Sequence, residues 1–156
     1  MKATYLVPNH CKIYGWILFV VGICGGIAMY ITDFEAIEAL KVSVFTIYSD
    51  PILSKPSYFT FIENGIFDEL VSIFLIVGGL LIGFSKEKVE DEFIYKLRKD
   101  SLVWALIVNY SILLFAILFI YDMTFMHILL FNMFTPLLFF IFRFTLLKSR
   151  YLRYEE

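Results

Sequence analysis

Cysteine and histidine are scarce in this sequence, and their scarcity argues against several classes of site. The chain holds two cysteines and two histidines. Cys11 and Cys24 lie on one apolar segment, about 20 Å apart along a helix axis, so they cannot form a disulfide with each other. Neither belongs to a CxxC motif or to a Cys/His pattern with metal-ligand spacing. We therefore expect no metal and no cofactor.

The sequence also lacks the patterns of an enzyme and of a nucleic-acid-binding protein. It shows no nucleophile with a neighbouring base, no phosphate-binding glycine loop and no haem-like histidine pair within its apolar segments. The consecutive acids Glu90, Asp91 and Glu92 would point to three different sides of a helix. No basic stripe of the density that nucleic acid requires is present. We therefore expect no catalytic residue and no nucleic-acid partner.

Apolar residues, in contrast, are abundant. Of the 156 residues, 60% are hydrophobic and 19% aromatic, and the mean hydropathy is +0.80. Soluble domains usually contain about 45–50% apolar residues. Four apolar segments, each close to the roughly 20 residues that cross a bilayer core, cover 13–31, 66–84, 101–121 and 125–147. The sequence thus predicts a single all-α integral membrane domain over 1–156, a bundle of four transmembrane helices.

Positive charge is distributed unevenly between the two sides of these segments. Of the 13 lysines and arginines, all except Lys41 and Lys55 lie on one side. Because Lys and Arg concentrate in cytoplasmic flanks, both termini, loop 85–100 and tail 148–156 are predicted to be cytoplasmic. Loop 32–65 is then on the outer side. The short N-terminal segment lacks the small-residue cleavage site of a signal peptide, so we expect the first span to be retained.

The outer loop 32–65 combines two conflicting patterns. Phe34, Ile37, Leu40 and Val44 recur at helical spacing, which predicts an amphipathic helix at the membrane surface. Residues 42–48, however, are rich in β-branched and aromatic types, which favour an extended segment. We expect a helix followed by extended chain.

The longest charged run, 85–100, separates the second and third spans. Its acids come first and its bases later, an order that complements the dipole of a helix running toward the membrane. Val89, Phe93 and Leu97 form an apolar stripe on one face. Such a helix either continues into the third span and stands partly in the cytosol, or kinks near Asp100 and lies on the membrane surface.

A charged helix with one apolar stripe suits the docking of a partner protein, although a solvated connector explains it equally well. The leading hypothesis is a non-enzymatic membrane subunit or regulator that docks a membrane or cytoplasmic protein. The predicted docking residues are Glu90, Asp91, Glu92, Phe93, Lys96 and Arg98.

Polar residues within the predicted spans suggest an alternative. Asn109, Asn132, Thr135 and Arg143 are predicted to form an intramembrane polar cluster between the third and fourth spans, and Pro136 is expected to kink the fourth span. Hydrogen bonding between helices is one explanation. A small transporter or channel is the other. Arg143 is expected to anchor the helix end by snorkelling, by stacking on Trp104 or by pairing with Asp100.

Small residues on the first span provide a close-packing face. Gly22 and Gly26 have the spacing that lets two helix backbones approach in lipid. Packing within the bundle is one use of this face, and a homo-oligomer is the other.

The segment KVEDEFIYKLRKDSLVWA, followed by an Asn-Tyr helix and an NMFT helix, resembles small uncharacterised bacterial inner-membrane proteins. The resemblance covers mainly 85–144. It implies a four-span topology in the inner membrane and no assigned activity.

Overall fold

The computed structural model describes residues 6–32, 40–49, 56–88 and 90–155. Within them the chain is mostly helical and carries one hairpin. The elements in chain order are α1 (Cys11–Ile31), β1 (Lys41–Ser49), β2 (Ser57–Gly65), α2 (Phe67–Phe84), α3 (Glu92–Phe119), α4 (Asp122–Asn132) and α5 (Thr135–Glu155).

Three of the helices, α1, α2 and α3, are long and apolar enough to cross a membrane. Two of them match the predicted first and second spans to within two residues at each end. The predicted fourth span is instead broken. α4 and α5 meet at 46°, and they are long and apolar enough to cross a membrane only when the two are taken together. The turn that precedes it lies at 120–121 rather than at 122–124, so α4 begins three residues earlier than predicted.

The predicted kink near Pro136 is present. The break falls at Met133 and Phe134, and Pro136 lies in the first turn of α5. A proline is tolerated there because the first N–H groups of a helix have no intrahelical acceptor. The proline thus starts a new helix at the position where it would interrupt a continuous one.

α1 packs along α2 through small residues. Gly15 and Gly22 are buried on α1, and Gly78 is buried on α2. A Cβ atom at Gly78 would lie 2.6 Å from the backbone nitrogen of Phe19, so this crossing requires glycine. A Cβ at Gly22 would be 3.0 Å from Leu75, whereas one at Gly26 would meet only Val71, at 3.8 Å. The Gly22 face is therefore used within the chain, and a homo-oligomer through Gly22 and Gly26 stays a prediction.

α5 returns along α3 and also touches α2. The buried core lies where these helices meet, and it consists of Phe19, Ile82, Ile94, Ala105, Phe140, Ile141 and Phe144. Many large apolar side chains on the outer faces of α1, α2 and α3 are exposed. Exposed apolar faces on helices of this length are what a lipid environment requires.

The segment between α1 and α2 contains a β-hairpin, which corrects the prediction of an all-α protein. β1 pairs antiparallel with β2, from Lys41 opposite Gly65 to Ser49 opposite Ser57. The extended segment predicted over 42–48 is confirmed. The amphipathic helix is wrong at Val44, which lies in β1, and Phe34 and Ile37 lie outside the described residues. β-branched and aromatic side chains packing across two strands outweigh the helical spacing here.

The second half of the charged run, from Glu92 onward, forms one continuous helix with the third span. α3 runs from Glu92 to Phe119 without a break at Asp100, which gives a length of about 42 Å. Asp91 caps its start, since its Oδ1 accepts a 2.7 Å hydrogen bond from the backbone nitrogen of Ile94. The charged run therefore continues into the third span as a helix and the kink at Asp100 is not present, but this helix is shorter than the one predicted, and its partial exposure to the cytosol stays a prediction.

Candidate functional site

The first described residues are tied to the loop that follows α2. Val7 forms a parallel β-bridge with Ser85, in which the Val7 nitrogen donates to the Phe84 carbonyl at 3.0 Å and the Lys86 nitrogen donates to the Val7 carbonyl at 2.9 Å. The Asn9 side chain adds a 2.6 Å bond to the carbonyl of Lys86. These bonds hold the start of α1 beside the end of α2.

Glu87 joins three parts of the chain at this end of the bundle. Its two carboxylate oxygens pair with Lys12, in the first turn of α1, and with Lys148 of α5, the second pair at 2.5 Å. The Glu87 side chain is only 4% exposed, and the lysine side chains are 19% and 25% exposed. A carboxylate this buried is tolerated because both of its oxygens have charged partners.

The two lysines also set the protonation state of Glu87. Burial alone raises the pKa of the Glu87 carboxyl, but the hydrogen bonds and the positive charges of Lys12 and Lys148 outweigh burial and hold the pKa below its usual value. Glu87 is therefore ionised at neutral pH. Its negative charge offsets one of the two positive charges of Lys12 and Lys148.

A further ion pair joins the same loop to α3. Arg98 of α3 is 3% exposed, and its Nη1 and Nη2 donate to Glu90 at 2.6 and 3.2 Å. Nη2 also donates to the Ser85 carbonyl at 3.2 Å, and the guanidinium lies over the Phe144 ring at 5.2 Å. Glu90 in turn accepts a 2.8 Å bond from the Glu87 nitrogen. Loop 85–91 is thereby fixed to α3.

The predicted docking residues divide into two groups. Glu90, Asp91 and Arg98 make the internal contacts just described, so Arg98 is not accessible at the surface. Glu92 and Lys96 are exposed. Phe93 is 46% exposed and stacks on Tyr151 of α5, with ring centroids 4.2 Å apart.

The predicted apolar stripe is therefore partly buried in the core and partly exposed at the surface. Leu97 packs against the core, whereas Phe93 lies at the surface, and Val89 lies outside the described residues.

A pocket of about 610 Å³ opens beside the Glu87 cluster. Its polar lining includes Lys12, Glu87, Lys88, Asp91 and Lys148, and its apolar lining includes Ile13, Trp16, Ile94 and Tyr151. This volume lies within the range of about 300–1,000 Å³ that is typical of small-molecule sites.

The intramembrane polar residues lie further along α3, α4 and α5. Asn109 is buried, and neither its Oδ1 nor the Nδ2 of Asn132 has a hydrogen-bond partner among the described residues. Thr135 Oγ1 donates to the Phe131 carbonyl of the preceding turn at 3.2 Å. Arg143 stacks over Trp104, with its guanidinium carbon 5.4 Å from the ring centroid, as predicted for an anchor.

Sequence reasoning overlooked the roles of Lys12, Glu87 and Lys148. Each of them is at the end of an apolar segment, and a bundle of antiparallel spans brings those ends to one level. The predicted topology was therefore the available signal. It brings Glu87, which follows the second span, between Lys12 of the first span and Lys148 of the last.

The described residues contain no group of three or more His, Cys, Asp and Glu side chains that could hold a metal ion. No family model, curated protein or solved structure matches the chain, so the resemblance of residues 85–144 to small inner-membrane proteins stays a prediction.

Proposed function

We propose that this chain is a non-enzymatic subunit or regulator of the bacterial inner membrane, and that it docks a protein partner on the cytoplasmic extension of α3. One observation carries the proposal: this extension is fixed to the bundle on one face and leaves Glu92, Phe93 and Lys96 exposed on the other. A rigid helix that presents two charges and an aromatic ring suits helix-mediated recognition.

The orientation follows from the charge distribution and from the path of α5. Lysines and arginines concentrate at the end of the bundle where Lys12, Glu87 and Lys148 meet, which favours the cytoplasmic side for that end. Because α5 reaches this same end, we propose that α4 and α5 together make a broken fourth span. Both termini are then cytoplasmic, and the hairpin is on the outer side.

The internal contacts make the docking face rigid before a partner arrives. Ile94, Arg98, Ser101 and Ala105 are buried along one side of α3, and Asp91 caps its start. A preordered helix loses less conformational entropy on binding than a flexible loop does. Glu90 of the preceding loop and Arg98 of α3 thus support docking without touching the partner.

Affinity purification after crosslinking in native membranes tests the proposal. The variant Glu92→Ala/Lys96→Ala and the variant Phe93→Ala should each lose a stoichiometric partner that the unaltered protein retains. Lys86→Ala/Arg150→Ala is the control for the loss of two exposed charged side chains elsewhere at the same end of the bundle.

Tyr151→Ala is the second control, since it removes the stacking partner of Phe93 and leaves Phe93 in place. Partner recovery should survive in both controls. Equal recovery with every variant, or no stoichiometric partner at all, would contradict the proposal.

A small transporter or channel is the second candidate function. It is favoured by the buried polar atoms of Asn109, Asn132 and Arg143 that lack hydrogen-bond partners among the described residues. Ion flux into liposomes, followed with a proton-sensitive dye and a potassium-sensitive dye, should be measurable and should be lost in Asn132→Leu. Ser111→Ala, which alters an exposed hydroxyl of α3, is the control that should keep the flux. No flux above protein-free liposomes would exclude this candidate for these ions.

A further inference from the structure

A second, apolar groove lies next to the pocket beside Glu87. The groove, about 380 Å³ in volume, lies between α1 and α5 and is lined by Phe19, Leu138, Ile141 and Phe142 among others. Trp16 lines both cavities. Along α5, the groove contacts Leu146 and the pocket contacts Lys148. The two cavities are thus neighbours at Trp16, one with a charged lining and the other with an apolar lining.

The charged end favours an anion. The pocket lining contains three lysines, Lys12, Lys88 and Lys148, against two acids, Glu87 and Asp91. Asp91 is already engaged as the cap of α3. Each ammonium has three N–H donors, so Lys12 and Lys148 retain donors after pairing with Glu87. One excess positive charge matches a phosphate diester, which carries a single negative charge.

The spacing of the two ends fits the boundary between headgroup and acyl chain. Lys12 and Trp16 are one helical turn apart on α1, which is about 6 Å along the axis. Lys12 lies in the first turn of this apolar helix, where a span meets the headgroup region. Basic pockets between transmembrane helices on the cytoplasmic side bind the headgroups of anionic lipids.

We propose that this composite site binds an anionic phospholipid, with the phosphate at Lys12, Lys88 and Lys148 and an acyl chain in the apolar groove beyond Trp16. The apolar groove is what distinguishes a lipid from a free phosphate, since a soluble anion would leave it unused. The inference is independent of the proposed docking function.

Fluorescence quenching of Trp16 tests this site. The chain has two tryptophans, so Trp104→Phe leaves Trp16 as the single reporter and keeps an aromatic ring beneath Arg143. The protein is placed in vesicles of brominated phosphatidylglycerol and unlabelled phosphatidylcholine, and separately in vesicles of unlabelled phosphatidylglycerol and brominated phosphatidylcholine. The decrease in Trp16 fluorescence, measured as the fraction of brominated lipid is varied, gives the relative affinity of the two lipids at Trp16. We expect a preference for phosphatidylglycerol of about fivefold or more.

Two substitutions should move this preference in opposite directions. Lys88→Gln should lower it about fivefold, since one lysine near the headgroups is removed. Glu87→Gln should raise it, because Lys12 and Lys148 lose their competing carboxylate. Lys88 is exposed, so its replacement leaves the Glu87 cluster intact. Arg150→Gln, an exposed charge at the same end of the bundle that does not line the pocket, is the control and should change nothing.

Three results would overturn the proposal. One is equal quenching by the two lipids. Another is a preference that neither Lys88→Gln nor Glu87→Gln alters. The third is loss of the preference when millimolar inorganic phosphate is added, which would show that the site takes a soluble anion.

Discussion

Lys148, in the C-terminal half of α5, donates a 2.5 Å hydrogen bond to Glu87 in the loop that follows α2. The same carboxylate pairs with Lys12 at the start of α1. The beginning of α1, the end of α2 and the C-terminal part of α5 therefore lie at one end of the bundle. In a membrane this arrangement requires an even number of crossings between Lys12 and Lys148, and in the proposed topology α4 and α5 together make the fourth.

Cysteine labelling tests the number of crossings. In a Cys11→Ser/Cys24→Ser background, single cysteines replace Ser43 of the hairpin and Ser149 of α5, both of which are exposed. With four crossings, a membrane-impermeant maleimide should label position 43 only from the outer side and position 149 only from the inner side. Labelling of both positions from the same side would show three crossings.

Arg98 should be important for stability. Arg98→Ala leaves Glu90 without its guanidinium partner, and we expect a loss of about 3 kcal/mol in the free energy of unfolding. Arg98→Lys should not restore it, because one ammonium cannot replace a planar guanidinium that bonds Glu90 and Ser85 together. Denaturant titration in detergent measures the free energy of unfolding of both variants. Lys96→Ala, an exposed change on the same helix, should remain within about 0.5 kcal/mol of the unaltered protein.

The Glu87 cluster should make stability depend on pH. The pKa of Glu87 is lowered in the folded protein, so its ionised form stabilises the fold above about pH 4.3, the usual pKa of an unfolded glutamate, and this contribution is lost as the pH falls through the folded pKa. Glu87→Gln should cost about 2 kcal/mol at pH 7, less than a fully buried pair because the lysines are partly exposed.

The difference between Glu87→Gln and the unaltered protein should narrow below about pH 4. Unfolding curves recorded between pH 3 and pH 8 measure it. A difference that is constant over this range would show that the carboxylate charge is not what stabilises the cluster.

The crossing of α1 and α2 should tolerate no side chain at Gly78. Gly78→Ala places a methyl group 2.6 Å from the backbone of Phe19, and the helices must separate, at a cost of about 1–3 kcal/mol. Gly26→Ala is the matched control, since its methyl would meet only Val71 at an ordinary 3.8 Å. Equal stability of the two variants in detergent unfolding would show that this crossing is not tightly packed.

The spans were predictable because hydropathy and length depend on local sequence alone. The first two helices match their predicted ranges closely, and the charge order of 85–100 correctly predicted a helix that joins the third span. The kink at Pro136 was predictable as well, since a proline removes a specific backbone donor. The stacking of Arg143 on Trp104 follows from their matching depths on antiparallel helices.

The pairing of the hairpin and the Glu87 cluster were not predicted, for two different reasons. The composition of 42–48 predicted an extended segment, but not the second strand, since β1 and β2 stabilise each other through cross-strand pairs such as Phe45 and Phe61. The Glu87 cluster was missed because its partners, Lys12 and Lys148, are distant in sequence. In the same way, helix packing rather than a local pattern decides which face of α3 is buried. That packing buries Arg98 and leaves Phe93 at the surface.

Site-specific photocrosslinking tests the proposed docking face most directly. A photoreactive amino acid is placed at Lys99, an exposed residue of α3 three positions after Lys96, and, as the matched control, at Lys41 of the hairpin. The cells are irradiated before the membranes are solubilised. We predict one dominant protein adduct from position 99, absent from position 41 and lost when Phe93→Ala is added. Adducts with lipid alone at position 99, or the same protein adduct from both positions, would contradict docking on α3.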